Sequence, residues 1–169
     1  TLLNTISVGG NWTFTSMGTG SFITTGSKIV FNKDKTITGS HGLNDVEFYP
    51  GPNTIYTITA GTILTVNGTL TIGNADYSAT LNTGNIDAKG NITLIGTSAT
   101  GGGSATITMN GTGSQTLTGK DVAGRTRLPN MVIDKTSGNL ILSNIISIAG
   151  SWTYIQGAVD ATTNDSTVA

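Results

Sequence analysis

The chain of 169 residues has no cysteine, which excludes disulfide staples and thiolate zinc sites. Charge is almost as scarce, with Asp, Glu, Lys and Arg supplying 10 % of the residues against about 25 % in an ordinary soluble domain. The net charge of -1 comes without a basic patch, Arg125 and Arg127 being the nearest approach to one. Nucleic acid and anionic membrane surfaces are therefore not expected partners. No apolar run approaches the roughly 18 to 20 residues that span a bilayer. Nor does any stretch of ten or more residues carry apolar positions at the 3.6 spacing of an amphipathic helix.

Threonine and glycine are abundant instead, 32 and 24 residues respectively. Thr favours strands and Gly favours tight corners, so the composition predicts an all-β chain of many short strands. Self-similarity sharpens this. Four segments share one pattern, apolar-x-apolar, a spacer, Gly, then polar-apolar-Thr-apolar: ISVGGNWTF from Ile6, LTVNGTLTI from Leu64, IDAKGNITL from Ile86 and ISIAGSWTY from Ile146. Their glycines, Gly10, Gly68, Gly90 and Gly150, are separated by 58, 22 and 60 residues. A spacing of 22 is that of one turn of a parallel solenoid, so Leu64–Ile72 and Ile86–Leu94 are expected to stack as neighbours. A second phrase repeats with Asn32 matching Asn110 and Gly39 matching Gly119, again about 80 residues apart, like Gly10 and Gly90.

Alternation within each phrase defines two faces. The inward set is Ile6, Val8, Trp12 and Phe14, then Leu64, Val66, Leu70 and Ile72, then Ile86, Ile92 and Leu94, and finally Ile146, Ile148, Trp152 and Tyr154. The four glycines take the corners. Trp12 and Trp152 fill the same slot as Leu70 and Ile92, so both are expected to be mostly buried, at equivalent positions of different coils.

The succession of ISVGGNWT, LTVNGTLTIG, ATITMNGTGSQTLTG and ISIAGSWT resembles the degenerate repeats of large secreted bacterial β-helix surface proteins and adhesins, across nearly the whole chain. The resemblance implies a stalk, fibre or adhesive shaft. It carries over no catalytic or ligand residue, because the shared positions belong to the wall. One departure is the stretch around Pro50 and Pro52, which is expected to form a protruding loop from Asn44 to Tyr56.

Isolated features have plainer readings than chemistry. Asp87 and Lys89 alternate with Ile86 and Ala88 and so belong to a solvated face, which weighs against an enzyme. His41 stands without a second histidine or a cysteine nearby and reads as loop surface. TGGGS at Thr100–Ser104 lacks the GK[ST] of a phosphate cradle and reads as a flexible corner. Thr-x-Thr pairs recur at spacings too irregular for all of them to share one ice-binding sheet. Sequons at Asn11, Asn67, Asn91, Asn110 and Asn164 are candidate N-glycosylation sites.

The expected fold is a right-handed parallel β-helix with coils of about 20 to 30 residues. It forms one solenoid segment over 1–169, with sequence repeat units of about 1–80, 81–140 and an incomplete 141–169. The chain lacks an initiator Met and breaks off within its own pattern, so it is expected to be part of a longer chain or of a polymer. The expected role is that of an extracellular, cell-surface structural protein without catalytic residues, cofactor or metal. Its partners would be copies of itself or the rest of a longer chain. The alternative is an adhesin that binds surface glycans through its loops.

Overall fold

Period-two alternation of apolar and polar residues, broken by Gly and Asn, folds the chain into short strands that pair only with the turn before and the turn after. The computed structural model describes residues 3–16, 22–162 and 166–169. Every strand pair in it is parallel. The result is a β-solenoid of about seven turns, without a helix among the described residues.

Three columns of strands make the wall. The first face stacks β1 (Asn4–Val8), β3 (Ser27–Asn32), β6 (Asp45–Tyr49), β8 (Leu70–Ile72), β10 (Ile92–Leu94) and β12 (Gln115–Thr118). It ends on the second halves of β13 (Asn130–Ser143) and β15 (Trp152–Asp160). The second face holds β2 (Trp12–Thr13), β4 (Lys35–Thr38) and the first parts of β7 (Ile55–Val66) and β9 (Thr80–Ala88). Bridges from Thr80 to Gly102 and from Leu128 to Ile148 continue it, and β14 (Ile145–Ile146) with β16 (Thr167–Val168) closes it. The third face stacks β5 (His41–Leu43), the later parts of β7 and β9, β11 (Thr106–Met109) and the first parts of β13 and β15.

Register makes the core columnar. On the first face Ile6, Ile29, Val46, Leu70, Ile92, Leu117 and Leu142 lie over one another. One turn is thus 17 residues between Ile29 and Val46 and 25 between Leu117 and Leu142. The third face aligns His41, Leu64, Ile86, Ile107, Met131 and Trp152. As the 22-residue spacing predicts, Leu64 pairs with Ile86 and Leu70 with Ile92. Aromatic rings fill the core of the early turns, with Phe31 and Phe48 stacked at 5.7 Å and Phe48 against Tyr56 at 4.8 Å. The Tyr56 hydroxyl donates to the Phe31 carbonyl at 2.9 Å, satisfying the one polar atom this cluster buries.

Three expectations about the repeated phrase need correction. Trp12 and Trp152 do not occupy equivalent positions: Trp12 pairs with Ile37 on the second face, and Trp152 with Met131 on the third. Each phrase turns a corner, but not the same corner. ISVGGNWTF passes from the first face to the second, LTVNGTLTI and IDAKGNITL from the third to the first, and ISIAGSWTY from the second to the third. Both tryptophans are mostly buried and pack against the core, but Tyr154 is 56 % exposed instead of forming core. These residues lie in the outermost turns, where no further turn covers them among the described residues. For the same reason Ile6, Val8, Phe14 and Ile148 are only half-buried, while Leu64, Val66, Leu70, Ile72, Ile86, Ile92, Leu94 and Ile146 are fully enclosed.

The corner glycines also differ. A Cβ on Gly90 would collide with the backbone carbonyl of Gly68 one turn away, whereas a Cβ on Gly10 would meet nothing within 4 Å. Gly68 and Gly150 sit against the side chains of Asp45 and Asn130. Gly90→Ala is therefore expected to lower stability by about 1–3 kcal/mol, and Gly10→Ala to stay within about 0.5 kcal/mol of the parent. Urea unfolding of the two variants measures the contrast, and equal losses would show that the corners are equivalent after all.

Candidate functional site

Corner Asn and Asp residues form the most systematic polar feature of the rod. The Oδ1 of Asn11, Asp34, Asp45, Asn82, Asn91 and Asn130 accepts a backbone N–H from the following turn, at Thr36, Ile55, Thr69, Ser104, Thr116 and Ser151 respectively, over 2.6–3.2 Å. At a corner the strand ladder is interrupted, so these N–H groups would otherwise lack a protein acceptor. A short Asx side chain replaces the missing backbone carbonyl. Asn130 works in both directions, its Nδ2 donating to the carbonyls of Ser104 and Ala105 in the turn before.

The sequons overlap this scaffold and are not brought together. Asn11 and Asn91 are exposed but hold the next turn through Oδ1. Asn67 commits its Nδ2 to the Leu43 carbonyl at 3.1 Å. Asn110 is half-buried, and its Oδ1 is enclosed without a hydrogen-bond partner. Asn164 lies outside the described residues.

Lys135 is a site that pattern reading passed over. It shares the inward parity of Met131 and Ile133 in MVIDK, a signal present in the sequence, and it is 2 % exposed. Its ammonium donates to the carbonyls of Gly111 and Gly113 at 2.7 and 2.9 Å and to Gln115 Oε1 at 2.8 Å. All three N–H bonds are thereby used, and the turn 111–115 is tied to the next one. Desolvation lowers its pKa from the ordinary lysine value. Gln115 completes the knot by donating to the Ala88 and Gly90 carbonyls.

His41 is likewise not loop surface. It lies in β5 at 9 % exposure, beneath Trp12 and Phe14. Nor is TGGGS a free corner: Gly101 and Gly102 form bridges of the second face, and a Cβ at Gly103 would strike the Leu81 carbonyl. The stretch Asn44–Tyr56 is mostly strand, with β6 held between β3 and β8, so only the turn around Pro50–Thr54 departs from the wall. Asp87 and Lys89 remain half-exposed on the outward parity. Among the described residues no group of three or more His, Asp or Glu could hold a metal ion.

Two concavities stand out. The larger, about 630 Å³, opens at the late end of the rod and is lined by Leu142, Trp152, Tyr154, Val159, Ala161 and Val168. It is the mouth of the apolar core, bordered by β15, which among the described residues pairs only with β13. The second, about 390 Å³, lies beside Asn32, Lys33, Tyr49, Pro50 and Gly51, with Tyr49 exposed.

Replacing Lys135 by Met removes a donor from the Gly111 and Gly113 carbonyls and leaves Gln115 Oε1 with the Gly111 N–H alone, and a loss of about 1–3 kcal/mol in urea unfolding is expected. Asn91→Ala, which frees a single N–H at an exposed corner, is expected to cost about 1 kcal/mol. A Lys135→Met variant as stable as the parent would show that the ammonium fastens nothing. No family model, curated protein or solved structure matches the chain.

Proposed function

We propose that the chain is a shaft segment of an extracellular structural protein, in which further coils of the same architecture cover its outermost strands. Those coils belong to the rest of a longer chain or to another copy. The observation that carries this reading is the pair of uncovered apolar ends. Among the described residues β1 and β2 each pair on one side only, as does β15. At the late end Tyr154, Val159 and Val168 remain exposed around the mouth of the core. Unpaired parallel edges bordering apolar side chains favour addition of another strand layer. The outward surface suits a shaft, since its first face presents Thr71, Thr93, Thr118 and Ser143 in one column, short polar side chains without charge. The resemblance to secreted repeat proteins supports the cell-surface location. No helix of the described residues is long and apolar enough to cross a membrane.

A second reading draws on one observation. Tyr49 is exposed beside Asn32 and Lys33 in a shallow concavity, an arrangement that suits an aromatic platform for a sugar ring with polar groups at its rim. In that reading the shaft is an adhesin module, and Tyr49→Ala abolishes saturable binding on a glycan array.

Sedimentation velocity and negative-stain imaging over a concentration series test the first reading. Association into longer rods is expected, in steps of one segment on the order of 30 to 40 Å. The double variant Tyr154→Lys with Val159→Lys should suppress it, because two ammonium groups would have to be desolvated at the joint. Monomers at every concentration, together with native material that shows no extended rods, would contradict it.

A further inference from the structure

The first 27 residues contain no ionisable side chain, yet the Trp12–Phe14 segment is fastened to the following turn through the only histidine in the chain. Trp12 Nε1 donates to His41 Nε2 at 2.8 Å, so this ring nitrogen must be an unprotonated acceptor. The other, Nδ1, lies 2.6 Å from the Gly39 carbonyl, which can only accept. The two contacts together define a neutral imidazole with its proton on Nδ1. The ring stacks on Phe14 at 4.9 Å and on Trp12 at 6.0 Å, with Phe22 at 6.4 Å. An aromatic cap of the early turn thus closes over one titratable group.

We propose that His41 is an acid-sensitive latch: neutral, it holds the Trp12–Phe14 segment against the second turn, and protonation releases that segment. A proton on Nε2 would point at the Trp12 N–H, placing donor against donor. It would also place a charge in a site shielded from water, where no carboxylate of the described residues acts on the ring. The charged groups of the surrounding elements are engaged elsewhere. Lys28 of β3 pairs with Glu47 of β6 on the outer face, and Lys35 of β4 turns its ammonium onto the Asp34 carbonyl. β2 has no charged residue, and β7 contributes only the Tyr56 hydroxyl, which is bonded to Phe31.

Burial lowers the His41 pKa from 6.5 more than the Gly39 hydrogen bond raises it. A depressed histidine pKa means that the released state binds the proton more readily. The latch is therefore at full strength above pH 6.5 and weakens as pH falls from 6.5 toward the folded value. Uptake of one proton limits the effect to about a tenfold rise in the opening equilibrium per pH unit.

The other ties of the segment are few: the Asn11 hook to the Thr36 N–H at its start, and the edge of Trp12 against Phe31 at 5.9 Å. β2 has two residues, and beyond it the Phe14 N–H donates to the Thr38 carbonyl at 2.8 Å. Local opening at so short an outermost strand costs far less than unfolding the stacked turns.

Nuclear magnetic resonance of the whole chain between pH 7.5 and 4.5 tests the proposal. It follows the His41 ring and exchange of the two indole N–H protons, with Trp152, at the far end of the rod, as the internal reference. Exchange at Trp12 relative to Trp152 should rise severalfold, in step with protonation of the His41 ring. In His41→Gln, which offers an amide oxygen to Trp12 but does not titrate, the ratio should stay flat. A ratio that does not change while the His41 ring takes up its proton would overturn the latch. So would an equal rise in His41→Gln.

Discussion

Parallel backbone pairing in register between consecutive turns is the constraint on which the rest of this molecule depends. The Asn67 N–H reaches the Leu43 carbonyl, Lys89 reaches Val66, and Ile95 reaches Ile72, each at 2.8–2.9 Å. Because side chains alternate with period two, this register also decides which residues face each other inside. A slip of one residue would expose a whole column of Ile, Leu and Val and bury a column of Thr. The apolar core and the ladder of backbone bonds therefore specify one another.

Corners are where this arrangement is weakest, since the ladder stops and both N–H and C=O groups are left over. The chain answers with side chains: Asx oxygens that hook the following turn, and Lys135 with Gln115 across the 111–115 turn. Such groups are conditionally stabilising, because each satisfied bond is worth about 1 kcal/mol while an orphaned partner costs more. The ends follow a different rule. An outermost strand has one neighbour only, so its aromatic and aliphatic residues stay partly wet. His41 at one end and the mouth lined by Trp152 and Tyr154 at the other are both consequences of that.

The sequence makes the wall legible and leaves its address unreadable. Parity placed Leu64, Val66, Ile86 and Ile92 inside, and the 22-residue spacing made stacked neighbours of their phrases, because both depend on local alternation. The same local pattern could not tell one corner from another. Any apolar-x-apolar segment followed by Gly and a second strand fits any of the three bends, so ISVGGNWTF and ISIAGSWTY look alike and sit on different faces. Tyr154 has inward parity but no turn above it among the described residues, a fact of position in the stack and not of composition. His41 was misread because its burial comes from Trp12 and Phe14 of another turn. Lys135 was discoverable by parity, but a charged residue is not ordinarily sought in a core.

The absence of native cysteine makes the central register directly measurable. Thr71 and Thr93 face outward on adjacent turns and are paired in register, so their Cα atoms lie about one strand spacing apart, within the span of a disulfide. Thr118 lies one turn further from Thr71. Oxidation of a chain carrying Thr71→Cys and Thr93→Cys should yield an intramolecular disulfide, seen as a faster-migrating band that reverts on reduction. The pair Thr71→Cys with Thr118→Cys should yield none. Cross-linking of the distant pair in preference to the adjacent one would contradict the stacking of these turns.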